Sequence, residues 1–115
     1  MREFEPPPFA IDVAEQDERT LLTLSGELDL ATVGELEAAL ASRLDAGENV
    51  VVDLRGLAFM DSSGVRALVG AHQAAQECDG SLVIVRPPQG SEVDRVIDVS
   101  GIATALGMVD EPPAG

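Results

Sequence analysis

The run Val50-Val51-Val52-Asp53-Leu54 constrains this chain more than any other stretch. Its β-branched side chains favour extended backbone. A strand with one wet face alternates apolar and polar residues, and this run does not. It reads as a strand buried on both faces, as in parallel sheets. Parallel neighbours cannot be joined by a tight turn and need a crossover, usually a helix.

The flanking segments supply such crossovers. Upstream, Thr32 with Glu35 three residues on forms a capping box, and Val33, Leu36, Leu40 and Leu44 follow at helical spacing. Gly47 is placed to close that helix in the left-handed conformation. Downstream, Val65, Leu68, Val69, His72 and Ala75 recur at helical spacing, so a second helix starts at Ser62 or Ser63 and ends by Gly80. Residues 82–85 form another buried-type strand, stopped by Pro87-Pro88. Ser91 caps a short third helix with Asp94 in its first turn, where a carboxylate suits the helix dipole. Val93, Val96 and Ile97 are its inner face, Gly101 ends it, and residues 105–109 are expected as a weak last strand.

Before the first helix, Phe9, Ile11 and Val13 alternate, residues 16–19 are a polar turn and residues 20–25 hold Leu21, Leu22 and Leu24. This is an antiparallel hairpin. Gly26-Glu27-Leu28-Asp29 is expected to break its second strand. The order is β-β-α-β-α-β-α-β, an α/β fold with a mixed, mostly parallel sheet and right-handed crossovers. It forms one domain over residues 9–110, between an extended proline-rich lead-in at 1–8 and a short tail at 111–115.

At 115 residues the chain has room for one domain. Aromatics are only 3%, without Trp or Tyr, so Val, Leu, Ile and Ala must build the core, helped by Phe4, Phe9 or Phe59. Seven Arg and no Lys face 21 acidic residues, for a net charge of -14. That speaks against nucleic acid, whose binders need a basic stripe, and against anionic membranes. It fits a soluble protein or one with a basic partner. A single cysteine, Cys78, gives no internal disulfide or thiolate zinc site, and a single His72 gives no histidine-rich metal site. No cofactor is expected. The N-terminus, with Glu3, Glu5 and three prolines, is not a signal peptide, and the uncharged stretch at 99–109 is too short to span a bilayer. A cytoplasmic protein is expected.

The segment LAFMDSSGV at 57–65 leads from the central strand to a helix. A loop is expected from Gly56 to Ser62, on the rim of the sheet where open α/β folds bind ligands and partners. Phe59 and Met60 pin that loop to the core. Asp61 and Ser62 then stand where backbone N–H groups lack intrahelical partners, a setting suited to phosphate. Gly64 removes a side chain that would crowd an approaching group. An ordinary N-cap accounts for the same Asp-Ser-Ser-Gly, and the tetrapeptide leaves both readings open.

Ser-Gly-Glu-Leu-Asp at 25–29, followed by Ala31-Thr32, resembles the signature of STAS domains, in particular the bacterial anti-sigma factor antagonists. VVDLRGLAFMDSSG at 51–64 is similar to that family's strand and phosphorylation loop, and Asp98-Val99-Ser100-Gly101-Ile102 to its third-helix exit. The resemblance implies a phospho-switch with no enzymatic activity of its own. An unphosphorylated antagonist binds an anti-sigma factor that is also a serine kinase, and so frees the sigma factor. The kinase phosphorylates the first serine after the aspartate, here Ser62, and the complex separates; a Ser/Thr phosphatase resets it. Asp61 would shape the phosphoacceptor site, Ser63 and Gly64 would begin the contacting helix, and Asp29 would share the rim. Oligomeric state is left open. Family members usually carry a C-terminal helix after the last strand, and residues 110–115, DEPPAG, leave no room for one.

Three other readings compete. A phosphate-receiver domain would use Asp53, but it usually needs a lysine, and the chain has none. Asp53 is given a structural role. A serine hydrolase needs a base, and His72, about 15 Å along the helix from Ser62, cannot reach it; it is read as a partly buried packing residue, and Cys78 as a small apolar filler. The third reading keeps the fold and makes the Ser62 loop a docking edge that is never phosphorylated, as in a STAS scaffold or a lipid-transport subunit.

Overall fold

A computed structural model describes residues 8–113 of the chain. Strands β1 (Phe9–Gln16) and β2 (Arg19–Leu28) form the expected hairpin, with registers from Phe9↔Gly26 to Gln16↔Arg19. Asp17 and Glu18 turn the corner with φ of 52° and 65°, the mirror-image turn whose twist suits a tight hairpin. Helix α1 (Val33–Asp45) leads to β3 (Asn49–Met60), helix α2 (Ser62–Glu77) to β4 (Ser81–Val85), and helix α3 (Glu92–Ser100) follows. The sheet order is β1-β2-β3-β4, with β2, β3 and β4 parallel and β1 antiparallel to β2.

Two strands are longer than expected. The sequence predicts a break in β2 at Gly26 and a loop from Gly56, yet β2 and β3 stay paired as far as Leu28↔Met60. The register slips between Thr23↔Asp53 and Ser25↔Gly56, and again between Gly26↔Leu57 and Glu27↔Phe59. Each slip places one extra β3 residue opposite β2, a β-bulge, which resets the inward and outward alternation. Gly56 marks the first bulge: a Cβ there would lie 2.7 Å from the Leu24 carbonyl oxygen. Phe59 therefore does not pin the segment. It is 40% exposed, whereas Leu57 and Met60 turn inward.

The expected last strand is also corrected. Residues 102–105 form a helical turn, α4 (Ile102–Ala105), which buries Ile102 and, four residues on, Leu106. Only Val109 contacts the sheet as a strand would, bridging to Val85. The reason is Gly107, whose φ of 61° lets its N–H and that of Met108 cap the carbonyls of Thr104 and Ala103. Gly47 closes α1 with the same pattern, as expected.

Apolar residues of all four helices join one cluster with Leu22, Leu24, Val50, Val52, Leu54 and Ile84. Phe9 is its aromatic member, and Phe4 lies outside the described residues. The inner face of α2 is Gly64, Ala67, Leu68, Ala71 and Ala75. Val65, Val69 and His72 sit half-buried at its margin, so the stripe is rotated from the expected one. Small side chains on the inner face let α2 approach its neighbours closely. Val51 and Val85 are buried outside that cluster, on the opposite face of the sheet. There Pro112 and Pro113 line a small cleft with Leu21 and Val51.

Two buried carboxylates tie the frame together. Asp53 accepts two hydrogen bonds from Arg55 Nε and one from Nη2 at 2.8 Å, which gives it the structural role expected. Asp94 accepts from Gly90 N–H at 2.8 Å and from Arg86 Nη2 at 3.0 Å, joining α3 to the exit of β4. Its own N–H is capped by Ser91 Oγ at 3.2 Å, as expected. Burial raises the Asp53 pKa, but the Arg55 hydrogen bonds and charge outweigh it and hold the carboxyl below its usual value. For Asp94 the Gly90 N–H leads, with Arg86, and the carboxyl is again held low.

The hairpin turn and the buried carboxylates each give a prediction. Glu18→Gly relieves a left-handed residue that bears a side chain and is expected to stabilise by about 0.5–1 kcal/mol, raising Tm by ~2–5 °C; an unchanged or lower Tm in a thermal melt would contradict this. Both carboxyls have native pKa values below their unfolded ones. Their stabilisation is therefore complete above the ordinary carboxylate value near ~3.9 and is lost as pH falls from there through the lower native values. Tm measured against pH should fall below about pH 4, and Asp94→Asn should melt lower at pH 7 with a shallower acid slope. Parallel acid slopes in the two proteins would refute the assignment to Asp94.

Candidate functional site

The shared end of β2 and β3 builds the rim. Met60 is buried beneath the first turn of α2, and Leu28 beside it is fully buried. A Cβ on Gly64 would lie 2.5 Å from Met60 Cγ and 3.0 Å from Leu28 Cδ2. Gly64 is therefore small because the helix is pressed onto Met60, and it lies beneath the surface rather than on it. The space expected at Gly64 for an approaching group is instead filled by Met60 and Leu28.

The next residue crosses between strands. Asp61 N–H donates to the Leu28 carbonyl at 3.2 Å, continuing the β2–β3 pairing by one step. Asp61 is the N-cap of α2: its backbone is extended and its Oδ1 accepts from Ser63 N–H at 2.8 Å. Its carbonyl receives the N–H groups of Gly64 and Val65. Half-buried Asp61 and Ser63 thus frame Ser62, the first helical residue, which is exposed. The expected N-cap is present, and the serine hydroxyl is accessible above it.

Asp29 lies one residue past the carbonyl that holds Asp61. Its Oδ1 folds back onto the N–H groups of Ala31 at 3.0 Å and Thr32 at 3.2 Å. Thr32 Oγ1 accepts from Asp29 N–H at 3.0 Å and donates to the Glu27 carbonyl at 2.8 Å. Thr32 consequently has helical backbone angles and no side-chain cap bond, so the expected Thr32–Glu35 capping box does not form. The Asp29 and Thr32 side chains are committed to the β2–α1 turn instead, a local side-chain competition for backbone donors.

Two apolar residues that the sequence reading did not assign to this surface complete the rim. Leu30, beside Asp29, is 78% exposed, and Phe59, beside Met60, is 40% exposed. The sequence signal for Leu30 was a large apolar residue in a polar turn; for Phe59 no signal existed, because the second bulge decides which way it faces. An open groove of about 460 Å³ lies at the other end of the sheet, around Asp17, Arg19 and Glu48, away from Ser62. Half-buried His72 is ten positions along α2 from Ser62, and half-buried Cys78 is the helix C-cap. Among the described residues no helix is long and apolar enough to cross a membrane.

Comparison with known proteins gives a consistent picture. Residues 11–110 match the family model described as "Mlab, STAS domain". The anti-sigma-B factor antagonist of Staphylococcus aureus is 31% identical over 93 residues, covering 80% of this chain and 84% of that protein. The protein of the same name from Staphylococcus epidermidis is equally similar. A crystal structure of an anti-sigma factor antagonist from Mycobacterium paratuberculosis superposes with a TM-score of 0.77 at 22% identity, over 94% of this chain and 92% of that one. The Bacillus cell fate determinant SpoIIAA in its phosphorylated form gives 0.67 at 24% identity, over 90% and 92%.

The packing under the rim is testable with two glycines of one helix. Gly64→Ala is expected to destabilise by about 1–3 kcal/mol through overpacking against Met60. Gly70→Ala, where a Cβ meets nothing within 4 Å, should stabilise by roughly 0.5–1 kcal/mol through helix propensity. Equal effects of the two in urea unfolding would show that α2 does not press on Met60.

Proposed function

This chain belongs to the STAS domain family, and on that footing we propose that it is an anti-sigma factor antagonist: in the cytoplasm it binds an anti-sigma factor that is also a serine kinase, frees the sigma factor, and is released when Ser62 is phosphorylated. The observation that carries this reading is the exposed Ser62 hydroxyl, set between the Asp61 N-cap and the half-buried Ser63 on a rim floored by Met60. The kinship with anti-sigma-B factor antagonists supports the partner class.

In this reading the chain is a regulator and a substrate, not an enzyme. The partner meets the rim through Leu30 and Phe59, whose apolar surface gains by leaving water, and through the polar frame of Asp29, Asp61, Ser62 and Ser63. Gly64 contributes by letting α2 sit low on Met60. The kinase brings ATP. Ser62 Oγ bonds to the γ-phosphorus as the bridging bond to ADP breaks, and the hydroxyl proton passes to a base of the kinase. The product carries roughly -1.5 to -2 charges at neutral pH, beside two carboxylates, and repels acidic groups of the partner. A Ser/Thr phosphatase hydrolyses the ester and restores binding.

Incubated with its anti-sigma factor kinase and ATP, the protein is expected to gain the mass of one phosphate, mapped to Ser62 by peptide mass spectrometry. Ser62→Ala should gain none and stay bound to the kinase. A partner-bound protein that gains no mass would instead support a scaffold that docks by the same edge without being modified, and modification at another residue would also defeat the proposal.

A further inference from the structure

Phosphorylation of Ser62 would create a dianion on an acidic rim, and its immediate surroundings decide where that charge can point. The nearest residue in the chain, Asp61, is a carboxylate whose Oδ1 is held at the N-cap by Ser63 N–H at 2.8 Å, so it cannot swing away without uncapping α2. Asp29, one residue past the carbonyl that holds Asp61, adds a second negative charge, fixed by Ala31 and Thr32 N–H. Both disfavour a phosphate lying back across the loop.

One turn along α2 the situation reverses. Arg66 is four residues after Ser62, and both side chains reach solvent. Residues at this spacing stand about 5–6 Å apart at Cβ on one face of a helix, and an anion placed N-terminal to a cation is the favourable order. Most arginines of the described residues are already engaged. Arg43 pairs with Glu48, Arg55 with Asp53, and Arg86 with Asp94 and Asp98; Arg19 also has a partner. Arg66 makes no ion pair among the described residues, although Glu37 of α1 lines the same groove between α1 and α2. The other arginine in that position, Arg95, stands on α3.

We infer that Arg66 receives the Ser62 phosphate: pushed from Asp61 and Asp29, the group turns along α2 and pairs with the guanidinium one turn away. This rests on the phosphorylation proposed above and adds the residue that orients its product. Guanidinium binds phosphate oxygens in a bidentate fork, so the pair also sets the rotamer of the modified side chain. Arg66 is a positioning residue in this role, and the unmodified protein does not use the pair.

The test does not require the kinase. Phosphoserine is installed at position 62 during translation, and the second ionisation of the phosphate is followed by ³¹P NMR as a function of pH. Asp61, Asp29 and Glu37 are the carboxylates around the pair, and they are the same in every protein compared. Pairing with Arg66 favours the dianion, so the second pKa should be lower than in Arg66→Gln by roughly 0.15–0.4 unit at low salt. Arg66→Lys should keep part of that depression, and about 1 M salt should shrink it, since the pair meets solvent. Among the described residues the Arg66 guanidinium holds no ion pair in the unmodified fold, so the variants should melt like the parent. Coincident titrations of the parent phosphoprotein and its Arg66→Gln variant would overturn the inference. A kinase that leaves Ser62 unmodified would strike the proposed function and leave this titration readable.

Discussion

The burial of Met60 is the constraint from which the rim follows. Its side chain sits under Gly64 and beside Leu28, and the Asp61 N–H closes the same corner onto the Leu28 carbonyl. These contacts set both the height and the rotation of α2 at its first turn. Each helical residue advances about 100°, so a residue two positions before an inward Gly64 points outward. Ser62 is that residue. Its exposure is thus the geometric counterpart of the tight approach that a glycine permits, and the Asp61 cap holds the turn in place.

In the proposed function, the same arrangement would separate signalling from stability. The buried carboxylates Asp53 and Asp94 are satisfied by Arg55, Arg86 and Gly90 within the frame. Among the described residues no buried side-chain nitrogen or oxygen lacks a partner. A charge added at Ser62 therefore need not disturb the core. A dianion about 6 Å from one carboxylate at an effective dielectric of ~40 costs about 2–3 kcal/mol before screening. That is on the order of a 30- to 150-fold change in affinity, enough for release without refolding.

Much of this was legible in the sequence, and each failure has a physical cause. The Val50–Leu54 run, the α1 stripe, the Ser91 cap and the helix beginning at Ser62 depend on local periodicity and capping chemistry, and they appear where they were read. The continuation of β2 and β3 past Gly26 and Gly56 was not legible, because two bulges break the period that defines a strand. Phe59 was misread for the same reason. The Thr32–Glu35 pattern has the right spacing for a capping box, but Asp29 competes for the same donors through a contact that spacing does not show. At the C-terminal end, the apolar composition of residues 105–109 suits a strand, whereas Gly107 caps a helical turn and leaves only Val109 on the sheet. At the rim, the Asp61 cap and the helix start at Ser62 were readable from their motif. Leu30 carried a signal as a large apolar residue in a polar turn, whereas Phe59 needed the fold.

The most direct measurement is the affinity of the anti-sigma factor kinase for the protein with phosphoserine at position 62 against the unmodified protein, by titration calorimetry at one salt concentration. The account predicts binding weaker by about 30- to 150-fold, with both forms giving the same core amide spectrum by NMR. Equal affinity of the two forms would contradict it.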